Sequence, residues 1–334
     1  MPEFKKTLTP NNTEPVSANR LSVPQLMLFC GPSVPMAMLL APLIIYLPTY
    51  YATEVGISLF WVGAAFMVAR LWDGVTDPLI GILSDASHSR FGRRRIWIIA
   101  GLIPLMASAW FLCRPQGQVG PFYLFLWLII FYISWTSVQV PYLSWSSELS
   151  TNYHDRSRIF AFRESGTILG IGVAYGVPIL LLPADAPLNQ ILDIFIITLL
   201  IILPLTLLPA AFCTKEAPPK KIEKPDWGAL YTAMLTNKPY RYFIVVVLIV
   251  FTAVNISDAV YILLVTQHLQ LPGAFMSMVL IQYAAAIVFA PVTLKLSRRY
   301  GRHRVLLMGY LCFCLLYTSP SPRDQRGSRM PSSA

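Results

Sequence analysis

Charged and chemically reactive residues are scarce in this chain. Of its 334 residues 13% are charged, with four histidines and five cysteines, whereas hydrophobic residues make up 55%. The sequence contains no catalytic triad, no glycine-rich phosphate-binding loop and no zinc-ligand spacing. A soluble domain normally carries about 25% charged residues. The composition therefore excludes a soluble globular domain, and we expect an all-α polytopic membrane protein without enzymatic activity.

Apolar runs long enough to cross a bilayer recur along the chain. A transmembrane helix needs about 20 apolar residues, and the sequence predicts eight complete spans, with a ninth beginning near residue 304. Their approximate cores are 22–50, 57–84, 96–113, 121–147, 160–182, 190–213, 242–267 and 272–295.

Lysine and arginine fall almost entirely on one side of these spans, with Arg114 on the other. Basic loops remain on the cytoplasmic side of a membrane, so we expect a cytoplasmic amino terminus. Residues 1–20 are polar and are expected to form a disordered tail. We predict a six-span bundle over 21–213, a cytoplasmic linker over 214–240 and a partial second bundle over 241–313.

The second span carries two carboxylates, Asp73 and Asp77, within apolar sequence. Four-residue spacing places both on one face of a helix. Because an ionised group inside a membrane is energetically costly, such residues are functional candidates. Two neighbouring like charges also favour a metal ion or a proton between them. A structural alternative is that Arg70, three residues before Asp73, pairs with it.

One short motif occurs twice. Residues 90–96 read RFGRRRI and residues 299–305 read RYGRHRV, and each follows the second span of its predicted six-span half. An internal repeat of roughly 200 residues is typical of two-bundle transporters.

Several segments together resemble one transporter family. They are Asp73, Asp77 and Pro78, then Gly81–Asp85 with the run SRFGRRR, and then PYLSWSSELSTNYHDRSRIFAFRES at 141–165. Over about residues 22–312 the chain is similar to the glycoside–pentoside–hexuronide:cation symporters, the melibiose permease group of the major facilitator superfamily. This resemblance implies a major facilitator fold with a complete first six-helix bundle and an incomplete second one.

The resemblance also implies symport of a sugar or glycoside coupled to Na+ or H+, with no cofactor besides this coupling ion. The cation site falls on Asp73 and Asp77, the metal ligands if the ion is Na+, with Thr136 and Gln139 facing them. The best-known members carry an aspartate where this chain has Gln139, and a sugar-binding aspartate where it is apolar near Ala37. A carrier of an acidic or amphipathic solute, such as a glucuronide or lysolipid, therefore stays open, as does a non-transporting sensor or scaffold.

Other polar or aromatic residues in the spans are candidates for substrate binding. They are Trp135, Arg163, Asn255 and Asp258. A buried arginine offers a planar fork of donors to a solute, although Arg163 can alternatively snorkel to the membrane interface. Trp135 can instead pack within the bundle.

A cytoplasmic gate is a further expectation. Its candidate residues are Asp85, Arg90, Arg93, Arg94 and Arg95. The alternative is that these arginines only set the topology. The expected partners are a small-molecule substrate and the lipid bilayer, without nucleic acid, since the basic residues lie in short clusters between spans. We expect a monomer in the bacterial cytoplasmic (inner) membrane.

The carboxyl-terminal segment interrupts the pattern. The ninth span should continue after Leu311, but the run CLLYTSPSPRD at 314–324 resembles the in-frame translation of a sequencing-library adapter. We therefore expect residues 314–334 to be non-native, three or four spans of the intact protein to be missing, and the recorded chain to be an inactive fragment. A natural disordered tail is the alternative.

Overall fold

The computed structural model describes residues 22–318, except 88, 90–91, 151–152, 184–185, 215, 217–231, 233–235 and 266–273. The predicted tail at 1–20 and most of the predicted linker therefore lie outside the described residues. Ten helices have their bounds within the described part. They are α1 (Val23–Cys30), α2 (Ser33–Thr53), α3 (Leu59–Ala86), α4 (Arg95–Cys113), α5 (Pro121–Glu148), α6 (Tyr153–Leu181), α7 (Leu188–Cys213), α8 (Lys238–Leu263), α9 (Ala274–Tyr300) and α10 (Arg302–Thr318).

Five of these helices are long and apolar enough to cross a membrane: α3, α4, α5, α7 and residues Arg158–Leu181 of α6. They coincide with predicted spans two to six. The first predicted span differs, because the helix is interrupted at Gly31 and Pro32 between α1 and α2. Proline has no backbone N–H to continue a helical hydrogen-bond ladder, which accounts for a break at this position.

Helix α5 packs against both α3 and α4. Its buried residues recur every three or four positions, as in Leu124, Leu128, Phe131 and Trp135, which places them along the packed faces of the helix. Burial of this apolar surface fixes α5 beside α3. The polar residues in the middle of the two helices are thereby brought together.

Helices α2 and α6 approach each other at two glycines of α6 that are four residues apart. A Cβ atom on Gly166 would lie 3.0 Å from the Ser33 Cβ, and one on Gly170 would collide with the backbone carbonyl of Val34. Small residues at this spacing let two membrane helices come into backbone contact. The contact holds the part of α6 around Arg163 against the break between α1 and α2.

The glycine of the repeated motif has a positive φ in both of its copies. Gly92 adopts a φ of +111° before α4, and Gly301 adopts a φ of +88° between α9 and α10. Side chains other than glycine are disfavoured in this left-handed region. The two copies therefore share a conformational requirement for glycine at this position.

Residues up to Ser277 form one compact unit, and residues from Met278 form a second. Helix α10, in the second unit, runs from Arg302 to Thr318 without interruption. It is longer than the short ninth span expected from the sequence, and it crosses residue 314. No helix end marks the predicted start of the non-native tail, whose origin stays a prediction.

Candidate functional site

The middle of α3 contains an aspartate that is hydrogen-bonded to α5. The Thr136 hydroxyl donates to Asp73 Oδ1 at 2.8 Å. Thr136 is fully buried, and the Asp73 side chain is 16% exposed. A hydrogen bond between a hydroxyl and a carboxylate is stronger than one between neutral groups. Two hard oxygen atoms from different helices therefore meet inside the bundle, as the sequence predicts.

Arg70 also reaches this carboxylate. Its Nη1 lies 3.8 Å from Asp73 Oδ2, and its guanidinium lies 5.1 Å from the centre of the Tyr132 ring. The Arg70 side chain is 48% exposed, and the N–O distance of 3.8 Å is long for an ion pair. The ion pair between Arg70 and Asp73, the structural alternative to a cation site, is thus present but long. It involves Asp73 Oδ2, while Asp73 Oδ1 accepts the hydrogen bond from Thr136.

The other two predicted cation ligands are more open. Asp77 lies one turn after Asp73 and is exposed, whereas Gln139 is half-buried on α5. In the described part of the chain, the hydrogen bonds join Asp73 to Thr136 but do not join Asp77 to Gln139. That part likewise contains no cluster of three or more His, Cys, Asp or Glu residues able to hold a metal ion. Oxygen donors of this kind fit a hard monovalent ion or a proton better than a transition metal.

A cavity of about 370 Å³ opens between α2, α3 and α5, next to Asp73. Its walls are mostly apolar, and Arg70 is the charged residue among those that line it. The residues that line it are Pro48, Leu59, Val62, Gly63, Phe66, Met67, Arg70 and Tyr132. A partly apolar cavity with a few polar groups is typical of a small-molecule site.

Arg163 lies on α6 near the break between α1 and α2. Its Nη1 is 3.5 Å from the Ser146 hydroxyl, and its guanidinium lies 5.6 Å from the Tyr142 ring centre. The Arg163 Nε is buried, and no acceptor for it is found among the described residues. The Tyr142 hydroxyl donates to the Phe29 carbonyl at 2.9 Å, so the tyrosine joins the arginine to the broken helix. Buried donors normally have a partner, and other buried donors of this unit, such as Arg95 Nε and Trp145 Nε1, share this feature.

Trp135 has a different environment from the other predicted substrate residues. It is 8% exposed, and its ring stacks on Phe131 with the centroids 6.4 Å apart. This environment fits the packing alternative for Trp135. Asn255 and Asp258 lie along α8, but their side chains are outside the described residues.

One end of the first bundle, the arginine end, holds Arg93, Arg94 and Arg95. Arg94 Nη2 lies 3.0 Å from Asp85 Oδ1 on α3 and 2.8 Å from Glu148 Oε1 on α5. Arg93 Nη2 lies 3.0 Å from Glu148 Oε2. We call Asp85, Arg93, Arg94 and Glu148 the arginine–carboxylate cluster. The Arg94 side chain is only 4% exposed, so the cluster is an internal contact between three helix ends.

The predicted gate residues therefore separate into different contacts. Arg93 and Arg94 reach Asp85, whereas the Arg95 guanidinium donates to the Thr214 carbonyl at 2.9 Å. Arg90 lies outside the described residues. Glu148 was not among the predicted site residues. Its position in the sequence could have identified it, because it ends the fourth predicted span on the same side of the membrane as the basic turn. A carboxylate there can neutralise the arginines of that turn.

The helices and the carboxylates within them define an all-α integral membrane protein. The chain belongs to the family described as MFS/sugar transport protein, whose model matches residues 28–321. This match confirms the resemblance to the melibiose permease group and the major facilitator fold.

The curated relatives include proteins with named substrates and proteins without. The chain is 27% identical over 292 residues to the uncharacterized symporter YnaJ of Bacillus subtilis, covering 83% of this chain and 63% of the relative. It is 33% identical over 153 residues to the uncharacterized symporter sll1374 of Synechocystis, covering 41% and 28% of the two chains. It is 33% identical over 127 residues to the sodium-dependent lysophosphatidylcholine symporter 1-B of Danio rerio, covering 34% and 23%. The chain thus spans less than two thirds of the length of each of these relatives.

Proposed function

We propose that the protein is a secondary active transporter, in which a cation held by Asp73 and Asp77 drives the symport of a small solute. The observation that carries this proposal is the contact between Asp73 and Thr136 across two membrane helices at 2.8 Å. Membership of a transporter family supports it. A scaffold protein has no need for an ionisable group at this depth.

The cation site is proposed on oxygen donors alone. Asp73 and Thr136 supply a carboxylate and a hydroxyl, and Asp77 adds a second carboxylate one turn further along the same face. Hard cations take oxygen ligands of this kind, and Gln139 on α5 offers an amide oxygen. A proton can take the place of Na+, because two neighbouring carboxylates can share one.

Alternating access is proposed to involve the arginine–carboxylate cluster. The cluster ties α3, which carries Asp73, to the ends of α4 and α5. Opening the arginine end would break these ion pairs, and closing it would reform them. Solute and cation need only favour each other's binding by about 1–3 kcal/mol for the two movements to be coupled.

Sodium binding to the purified chain tests the cation site. We expect Asp73→Asn to abolish saturable ²²Na+ binding and Asp77→Asn to weaken it. Asp193→Asn is the control, because Asp193 is also a helix carboxylate but lies on α7, where it pairs with Arg114 at the end of α4. If H+ is the coupling ion, proton uptake on adding the solute would replace the sodium signal, because solute and cation favour each other's binding. Unchanged binding of both ions in Asp73→Asn would overturn the proposed cation site.

A neutral sugar or glycoside is the first proposed substrate class, and an acidic or amphipathic solute is the second. The second is favoured by Arg163, because the contacts of its guanidinium among the described residues are the Ser146 hydroxyl and aromatic rings and include no carboxylate acceptor. A carboxylate or phosphate on the solute would provide one. That one relative is named as a lysophosphatidylcholine symporter is in line with this class.

A matched pair of ligands distinguishes these two classes. p-Nitrophenyl β-glucuronide and p-nitrophenyl β-glucoside differ only in a carboxylate that replaces a hydroxymethyl group. For an acidic solute, the glucuronide binds more tightly, and Arg163→Gln removes the difference. For a neutral solute, both ligands bind alike and Arg163→Gln weakens them equally.

We further propose that the amino terminus lies in the cytoplasm and that the protein resides in a bacterial cytoplasmic membrane. The first part rests on the distribution of lysine and arginine, with Arg114 on the opposite side. It places the arginine end of the bundle on the cytoplasmic side. The proposed partners are the solute, the coupling ion and the surrounding lipid.

A further inference from the structure

A carboxylate from beyond the end of α7 binds the start of α4. Glu216 Oε2 accepts hydrogen bonds from the backbone N–H groups of Arg93 at 2.8 Å and Arg94 at 3.4 Å. Its Oε1 accepts from the backbone N–H of Arg95 at 2.8 Å. The first N–H groups of a helix have no partner within that helix, and the residue at the cap position, Arg94, makes no side-chain cap bond. Glu216 therefore caps α4 from more than a hundred residues away in sequence.

A second side chain joins the same two helix ends, this time from α4 to the end of α7. The Arg95 guanidinium donates to the carbonyl of Thr214, the residue that follows the last turn of α7. A negative group thus lies at the amino end of α4 and a positive group at the carboxyl end of α7. Both signs match the dipole of the helix end they touch. The two helix ends bind each other through two side chains.

Gly92 provides the space for this contact. Its φ of +111° is a conformation that favours glycine. A Cβ atom at this position would lie 2.7 Å from Glu216 Oε1. Any larger residue would have to displace the carboxylate or change the turn.

The turn bound by Glu216 also carries the side chains that reach Asp85 and Glu148. Arg93 and Arg94 use their backbones for Glu216 and their guanidinium groups for the arginine–carboxylate cluster. The direction of each guanidinium depends on a backbone that Glu216 fixes at three points. The added negative charge also offsets the repulsion among adjacent arginines.

We infer that Glu216 is a positioning residue for the arginine–carboxylate cluster, which holds Arg93 and Arg94 where they bridge Asp85 and Glu148. Through this contact, Glu216 stabilises the arginine end in the arrangement described above. The structural part of the inference is independent of transport, whereas its role in a gate rests on the proposed function.

Hydrogen exchange of a peptide covering residues 93–95 tests the contact in the purified full chain. Glu216→Gln is expected to accelerate exchange about tenfold, as expected when hydrogen bonds to a charged group are lost. Glu216→Asp keeps the carboxylate and retains part of the protection. Glu223→Gln, which removes the same charge further along the predicted linker, leaves exchange unchanged. If Glu216→Gln does not fold, Glu216→Asp is the substitute, and it accelerates exchange by a smaller factor because its shorter side chain reaches the three N–H groups less well.

Thiol labelling tests the positioning role. The reporter is Ser144→Cys, which lies on α5 one turn before Glu148, in a chain whose native cysteines are replaced. Its labelling by a maleimide in detergent is expected to be several-fold faster in Glu216→Gln and to return towards the original rate in Glu216→Asp. Faster exchange with unchanged labelling would make Glu216 a helix cap only and overturn the positioning role. Unchanged exchange would overturn the contact itself. Faster exchange together with faster labelling, in a chain that binds no cation, would support the positioning role of Glu216 while contradicting the proposed function.

Discussion

The Thr136 hydroxyl and the Asp73 carboxylate are 2.8 Å apart although they are 63 residues apart in sequence. The packing of α5 against α3 brings them together, and the burial of Thr136 removes water as a competing partner for its hydroxyl. The hydroxyl can donate to the carboxylate alone or turn its lone pairs toward a cation beside it.

Thr136→Val removes this hydroxyl and nearly preserves the shape of the side chain. We expect the Kd for sodium to rise about tenfold, since a hydrogen bond to a charged group contributes about 1.5–3 kcal/mol. Ser137→Ala is the matched control, because the Ser137 hydroxyl donates to the Ile133 carbonyl of its own helix. Isothermal titration of sodium into the purified chain measures both. Equal affinities in the two variants would remove Thr136 from the cation site.

Arg94→Gln removes the most buried charge of the arginine–carboxylate cluster. We expect a loss of about 2–3 kcal/mol in the free energy of unfolding, because two carboxylates lose a cationic partner. This is below the value of about 3–5 kcal/mol for a fully buried pair, since Asp85 and Glu148 are partly exposed. Denaturation in mixed detergent micelles measures the change. Arg156→Gln, at an exposed arginine that donates to the Ser150 carbonyl among the described residues, should change stability little; a matching loss there would point to net charge instead.

Gly170→Ala tests the backbone contact between α2 and α6. The new methyl group meets the carbonyl of Val34, which cannot move without shifting α2, and overpacking of this kind costs about 1–3 kcal/mol. Gly172→Ala lies two residues along the same helix, where an added Cβ meets no neighbouring atom within 4 Å. It should be neutral or slightly stabilising because alanine favours helix formation. Thermal unfolding of the two variants is the measurement, and similar melting temperatures would contradict the close contact.

Membrane vesicles of known orientation test the proposed topology. A cysteine in place of Lys6 should react with an impermeant maleimide only in inside-out vesicles. A cysteine in place of Gln116, two residues after Arg114, should react only in right-side-out vesicles. The expectation follows from the distribution of basic residues. Reversed labelling of both positions would place the arginine end outside the cell.

The sequence predicted correctly those features that depend on the residues of a single helix. Spans two to six follow from apolar length, and the shared face of Asp73 and Asp77 follows from their spacing. The break at Gly31 and Pro32 was not predicted, because hydropathy averages across a single proline.

Contacts between distant segments were harder to predict. Thr136 was assigned to Asp73 only through the family resemblance, and Glu148 and Glu216 were not assigned at all. A carboxylate at the end of a span has the composition of an ordinary loop residue, and only the folded chain shows which N–H or guanidinium group it binds. For Trp135 the sequence left ligand binding and packing open, and the ring contact with Phe131 fits the packing alternative.

The left-handed glycines of the two motif copies also bear on which substitutions the motif tolerates. Gly92 and Gly301 both have a positive φ, although the residue two positions later is Arg94 in the first copy and His303 in the second. The torsion angle restricts the glycine position to one residue type. The neighbouring positions carry no such restriction, and there the two copies have diverged in charge.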